Sequence, residues 1–163
     1  MFHLTKEGIP YGTIILGSRA TWLDRHAAEE LRSYVKKLSG AILIITHECY
    51  ASSIEGGKIL IGRASTSDIV GAFAAHYPDV LPEESDTEND CVAYAVRGDT
   101  LVISGSNDRS VYYSVCHLLQ TEFGVGFYWD RDVFEKKRSL SLPDGLTLQE
   151  RSEFKMRHTI GQW

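Results

Sequence analysis

Three β-branched apolar runs constrain this chain more than any other feature: Thr13-Ile14-Ile15-Leu16, Ala41-Ile42-Leu43-Ile44-Ile45-Thr46 and Lys58-Ile59-Leu60-Ile61-Gly62. The first stops at Gly17. The second and third show no polar alternation, which predicts strands covered on both faces. Between the first two lies a helical stripe, Ala27, Leu31, Tyr34, Val35 and Leu38, repeating at three and four, with Glu29, Glu30, Arg32, Lys36 and Lys37 facing water. Thr21 and Asp24 are spaced as a capping box at its start, and Gly40 is placed as its stop.

The same logic continues down the chain. Ser65-Thr66-Ser67-Asp68 opens a short helix carrying Ile69, Val70, Phe73 and Ala74, which ends before Pro78. The stretch from Pro78 to Asp90 is acidic and predicts an exposed loop. Cys91–Val96, a turn at Arg97-Gly98-Asp99, and Thr100–Ser104 predict an antiparallel hairpin, with Gly98 supplying the positive φ. Asn107 or Asp108 caps a third helix with the stripe Val111, Val115, Leu118 and Leu119, closed by Phe123 and Gly124. Phe127-Tyr128-Trp129 predicts a short aromatic strand, and Pro143-Asp144-Gly145 a turn. The order β-α-β-β-α-ββ-α-β implies an α/β (α+β) fold: a mixed β-sheet with about three helices packed on it.

Composition excludes several functions. The net charge of −5 over 163 residues argues against nucleic acid. The densest basic run, Lys136-Lys137-Arg138, is offset by Asp130, Asp132 and Glu135. No apolar run approaches the ~20 residues of a membrane span. Cys49, Cys91 and Cys116 are far apart and odd in number, as free thiols in a reducing compartment would be. The start, Met1 to Gly8, lacks the basic and apolar regions of a secretory signal, so the expected location is cytoplasmic.

Signatures of catalysis fail one by one. There is no phosphate-binding G-x-x-x-x-G-K-[ST], no dinucleotide G-x-G-x-x-G, no G-x-S-x-G elbow and no H-E-x-x-H. His47-Glu48-Cys49 has no second ligand pair and is read as an exposed strand end. Cys116-His117 is read as a packed thiol beside a polar-face histidine. Asp86 to Asp90 begins like a calcium loop, but Cys91 stands where glycine is needed and Arg97 where the bidentate acid is needed. Asp130 and Asp132, two residues apart in a loop, are read as a charged turn rather than a glycosidase acid pair. The expectation is therefore no catalytic residue, no metal and no cofactor.

Three segments carry a family resemblance: Ala27 to Gly40, Lys58 to Arg63, and Leu101–Gly105 running through Arg109–Gln120 to Phe123-Gly124-Val125-Gly126-Phe127-Tyr128-Trp129. Together they resemble the N-terminal domain of α-glucuronidases and the equivalent second domain of β-N-acetylhexosaminidases. The resemblance implies a mixed sheet with helices on one side, similar to a zinc-peptidase scaffold without its metal. It implies that residues 1–150 form a non-catalytic accessory domain of a glycoside hydrolase acting in carbohydrate metabolism. Its partner would be a (β/α)8 catalytic barrel of the same polypeptide, and residues 151–163 would be the linker and the start of that barrel. The apolar tail with Phe154, Met156 and Ile160 agrees with that. On the resemblance, Arg157 would reach a sugar hydroxyl or carboxylate and Trp163 would wall a sugar ring, while the catalytic carboxylates would follow residue 163. The rival expectation is a free-standing carbohydrate-binding or protein-interaction module using Tyr11, Tyr112, Tyr128 and Trp129.

Overall fold

A computed structural model describes residues 1–153, and the tail residues Arg157 and Trp163 lie outside them. In chain order the elements are β1 (Phe2–Lys6), β2 (Ile9–Pro10), β3 (Gly12–Leu16), α1 (Trp22–Ser39), β4 (Ile44–His47), β5 (Gly57–Ile61), α2 (Asp68–His76), β6 (Cys91–Arg97), β7 (Thr100–Gly105), α3 (Asp108–Phe123), β8 (Gly126–Phe127), β9 (Asp132–Val133), β10 (Leu140–Leu142) and β11 (Thr147–Arg151). A 3-10 turn, Glu48–Ser53, follows β4.

Six strands form the main sheet in the order β11-β6-β7-β5-β3-β4. β4, β3, β5 and β7 run parallel, while β6 and β11 are antiparallel additions beyond β7. The mixed α/β sheet expected from the element order is what forms. The runs at Ile14 and Ile59 occupy its middle, where both faces are covered, which is why they lack alternation.

Alternate residues of these strands feed two cores. Ile14, Ile59, Ile61, Leu101 and Ile103 meet Leu31, Val35 and Leu38 of α1 and Val111, Val115 and Leu118 of α3 on one face. Ile15, Leu60, Ala95 and Val102 meet Val70 and Phe73 of α2 on the other. Helices therefore cover both faces, not one side as the resemblance implied, because the second row of apolar side chains also needs a cover. Burying a leucine such as Leu31 contributes about 2–3 kcal/mol, so these stripes rather than helix propensity hold α1 and α3 in place.

The helix ends follow their local signals. Thr21 and Asp24 form the reciprocal capping box, and Gly40 ends α1 at φ 82°. Asn107 caps α3 with Ser110 at the third position, and Gly124 ends it at φ 73°.

Two expectations need correction. The run Ala41–Thr46 is not a strand buried on both faces. Pairing starts at Ile44, and β4 is a sheet edge bonded only to β3, so Ile42 is 54% exposed and Ile44 65%. Only Ala41 and Leu43 of that run are fully buried. The aromatic strand shrinks to Gly126–Phe127, paired with Asp132–Val133, leaving Tyr128 and Trp129 exposed. A further small sheet, β10-β1-β2, joins the two ends of the domain and buries Phe2, Leu4, Leu140 and Leu142 against the first core.

Candidate functional site

Open α/β sheets bind ligands where neighbouring parallel strands send their chains to opposite faces. β3 and β5 are such neighbours: β3 leads to α1 on one face and β5 to α2 on the other. The carboxyl ends of β3 and β5, with the starts of α1, α2 and α3 around them, are therefore the place to look for chemistry.

That place is filled by the protein's own chain. A side chain at Gly17, just past β3, would overlap the Thr66 carbonyl and Ser67. Gly62, at φ 139°, lies so close that a Cβ would stand 2.9 Å from the Thr66 hydroxyl. Arg19 N–H donates to the Thr66 carbonyl at 3.1 Å. The loop from Arg63 to Ser67 is thus seated in the crevice that a ligand would otherwise use.

Carboxylates and two guanidiniums tie this plug down; that of Arg19 donates from Nε to the Ser65 carbonyl at 2.9 Å and pairs with Asp68 at 2.8 Å. Asp24 is fully buried; its Oδ2 accepts the Thr21 N–H at 2.9 Å, and its Oδ1 meets no donor among the described residues. Burial pushes the Asp24 carboxyl up, against the opposing pull of the Thr21 N–H and the Thr66 hydroxyl. Arg63 has a side chain only 13% exposed and binds Glu84 at 3.1 Å and Asp108. Glu84 also accepts the Ser65 N–H at 2.9 Å and the Ser65 hydroxyl. Glu48 receives the Ser18 N–H at 2.6 Å, the Ser67 hydroxyl at 2.8 Å and the Ile69 N–H at 3.3 Å. Burial alone would raise the Glu48 carboxyl, but the donors from Ser18, Ser67 and Ile69 outweigh it and hold it at about 2.

A general acid or base must face a reacting atom with a proton to give or a lone pair to use. Asp24 is sealed from solvent, while Glu48, Glu84 and Asp108 are spent on neighbouring donors. Among the described residues no group of three or more His, Cys, Asp or Glu is placed to hold a metal ion.

The residues singled out from sequence scatter. Asp132 accepts the Tyr34 hydroxyl, and with exposed Asp130 it belongs to the charged turn. His47 Nδ1 accepts the Cys49 N–H at 3.1 Å, capping the 3-10 turn rather than facing a ligand. The Tyr94 hydroxyl lies 3.3 Å from His117 Nδ1, and His117 Nε2 lies 3.4 Å from Glu150. Burial pushes the neighbouring Cys116 thiol up. In the basic run, Lys137 N–H donates to the Leu38 carbonyl and the Arg138 carbonyl accepts the Gly8 N–H, so its backbone is a strap. Among the described residues no ring contact joins Tyr11, Tyr112, Tyr128 and Trp129. Instead Tyr112 stacks on His26, which stacks on Trp22, itself 72% exposed.

Sequence reading missed the clasp made by Glu48 and the hub made by Arg63. Their only local signals were positional, an acid just past β4 and a base after the Gly62 that ends β5. The i, i+4 pair Trp22–His26 was legible but passed unread.

No family model matches the chain. No curated protein matches it. Among solved structures, the family GH115 4-O-methyl-α-glucuronidase BtGH115A, described as specific for decorated arabinogalactans, is similar over 91% of this chain at 15% identity and a TM-score of 0.63. The similarity spans 18% of that enzyme's length. CpGH84D is similar over 68% of this chain and 17% of its own at 15% identity, with a TM-score of 0.44, too low to bear on the fold. The fold is thus one found as a fraction of a larger glycoside hydrolase.

Proposed function

We propose that this chain is a non-catalytic accessory domain of a larger glycoside hydrolase, buttressing a (β/α)8 barrel that follows it. The observation that carries this reading is the sealed crevice at β3 and β5, where a free-standing α/β enzyme would keep its site open. The fold similarity, which spans 91% of this chain but 18% of the α-glucuronidase, supports it. Residues 1–150 are the accessory domain in this reading, and 151–163 lead into the barrel. Arg157 then supplies a forked donor for a sugar carboxylate or hydroxyl, and Trp163 an aromatic wall.

No helix among the described residues is long and apolar enough to cross a membrane. The three free cysteines support a reducing, cytoplasmic setting.

The test is hydrolysis of aryl glycosides, α-glucuronides included, by the 163-residue chain and by a longer polypeptide from the same reading frame. The isolated chain is expected to be inert and the longer one active. Turnover by the isolated chain, lost on substituting one of its own carboxylates, overturns the proposal.

A further inference from the structure

The two edges of the six-stranded sheet are finished differently. One edge is β11, which carries Gln149, Glu150 and Arg151. There Arg151 pairs with Glu88 at 2.9 Å, and Glu150 lies 3.4 Å from His117 Nε2. Charges on an edge strand guard it against the addition of another strand. The other edge is β4, hydrogen-bonded to β3 alone among the strands described. No Asp, Glu, Lys, Arg or Pro occurs from Ala41 to His47. Glu48, the first charge after the strand, is turned inward to Ser18, Ser67 and Ile69.

The backbone of β4 is therefore paired on one side and open on the other, where a row of N–H and C=O groups faces outward. The side chains add to this. Leu43 is buried in the first core and Ile45 packs against it, whereas Ile42 and Ile44 take the opposite face and stay exposed. Tyr50, on the turn that follows, is 61% exposed. A β-branched, uncharged run along a free edge is the composition that pairs with another strand.

We infer that this edge pairs with a second copy of the same chain, β4 lying antiparallel to β4 across a two-fold axis. A two-fold contact needs a surface that matches itself. An uncharged strand meets that need when antiparallel, because the exposed isoleucines of the two copies then face each other. The net charge of −5 makes two copies repel on approach, and this neutral edge adds nothing to that repulsion. Pairing here also closes the assembly, since each copy then presents only its guarded edge, β11. The inference stands apart from the accessory-domain reading, for neither the crevice nor a following barrel enters it.

β4 is short, so the contact belongs to the small class of interfaces and the expected dissociation constant is about 10–100 µM. Sedimentation velocity of the 163-residue chain from about 1 to about 500 µM spans that value. Monomer is expected at the low end, dimer at the high end and nothing larger. Ile44→Lys charges the exposed face without touching the core; it is expected to weaken association at least about tenfold with an unchanged circular dichroism spectrum. Trp22→Ala, on the exposed surface of α1, is expected to leave the dimer intact. Amide hydrogen exchange of the wild type needs no variant: protection of the outward-facing amides of β4 is expected to rise with concentration. Monomer at every concentration, an open-ended series of oligomers, or β4 amides equally protected throughout overturns the inference. So does a dimer that survives Ile44→Lys or is lost with Trp22→Ala.

Discussion

Replacing Glu48 by Gln tests whether the clasp at the carboxyl ends of the strands holds the domain together. Glu48 joins three separate segments: Ser18 after β3, the Ser67–Ile69 start of α2, and its own turn after β4. Its carboxyl is lowered from an ordinary 4.5 to about 2, because the hydrogen bonds overcome the opposing effect of burial. That difference sets a ceiling of about 3 kcal/mol at neutral pH. Partial exposure and screening reduce the realised value to about 1–2 kcal/mol. A folded-state value below the unfolded one means the stabilisation is complete above about pH 4.5 and is lost as pH falls toward 2. Urea unfolding of wild type and Glu48→Gln at a series of pH values reads this directly. At pH 7 the variant is expected to be less stable by about 1–2 kcal/mol, with a melting point about 3–8 °C lower. The gap should shrink below half its neutral value near pH 3, as the wild-type carboxylate gains the proton that glutamine mimics. A gap unchanged between pH 7 and pH 3 refutes the reasoning, since Glu48 would then act through shape rather than charge.

Asp24 has the opposite sign: burial raises its carboxyl, so the folded state holds that proton more tightly than the unfolded chain does. Asp24→Asn should therefore gain stability relative to wild type as pH rises through the Asp24 ionisation, whereas Asp24→Ala should cost about 1 kcal/mol through the lost capping box; denaturation at pH 4 and pH 7 separates the two. Gly17→Ala forces a methyl into the Thr66 carbonyl and should cost at least about 3 kcal/mol, read as lost soluble yield or a collapsed unfolding midpoint.

Much of this fold was legible because its signals are local. Thr21 with Asp24, Asn107, Gly40 and Gly124 each act within a few residues, and each sits where its chemistry demands. What escaped depends on distant chain. Phe2 pairs with Leu142 across nearly the whole domain, and neither short segment carries a period long enough to announce a strand. Ile44 looks like Ile59 in sequence, yet one lies on an edge and the other in the middle, because nothing local says how many strands a sheet will have. Glu48 fared likewise: an acid after a strand reads as solvated surface until Ser18 and Ser67 arrive from elsewhere. The close approach of residues 63–67 to Gly17 and Gly62 was not readable either, since it too joins segments far apart in the chain.

That filling decides what the domain can do. To admit a ligand between β3 and β5, the loop carrying Thr66 would have to leave, breaking the contacts of Glu48 with Ser67 and Ile69 and disturbing those of Arg63 with Glu84 and Asp108. The Glu48 carboxylate contributes about 1–2 kcal/mol and the partly exposed Arg63 pairs up to about 1 kcal/mol each, so the opening costs about 3 kcal/mol. An opening of that cost lowers any ligand's apparent affinity about a hundredfold. The usual site of this sheet type is thereby converted into a structural joint between the loops that start α1 and α2. The contacts of Gly17 and Gly62 with Thr66 thus tie the ends of β3 and β5 to the start of α2. The accessory-domain reading rests on that filling as much as on the shared fold.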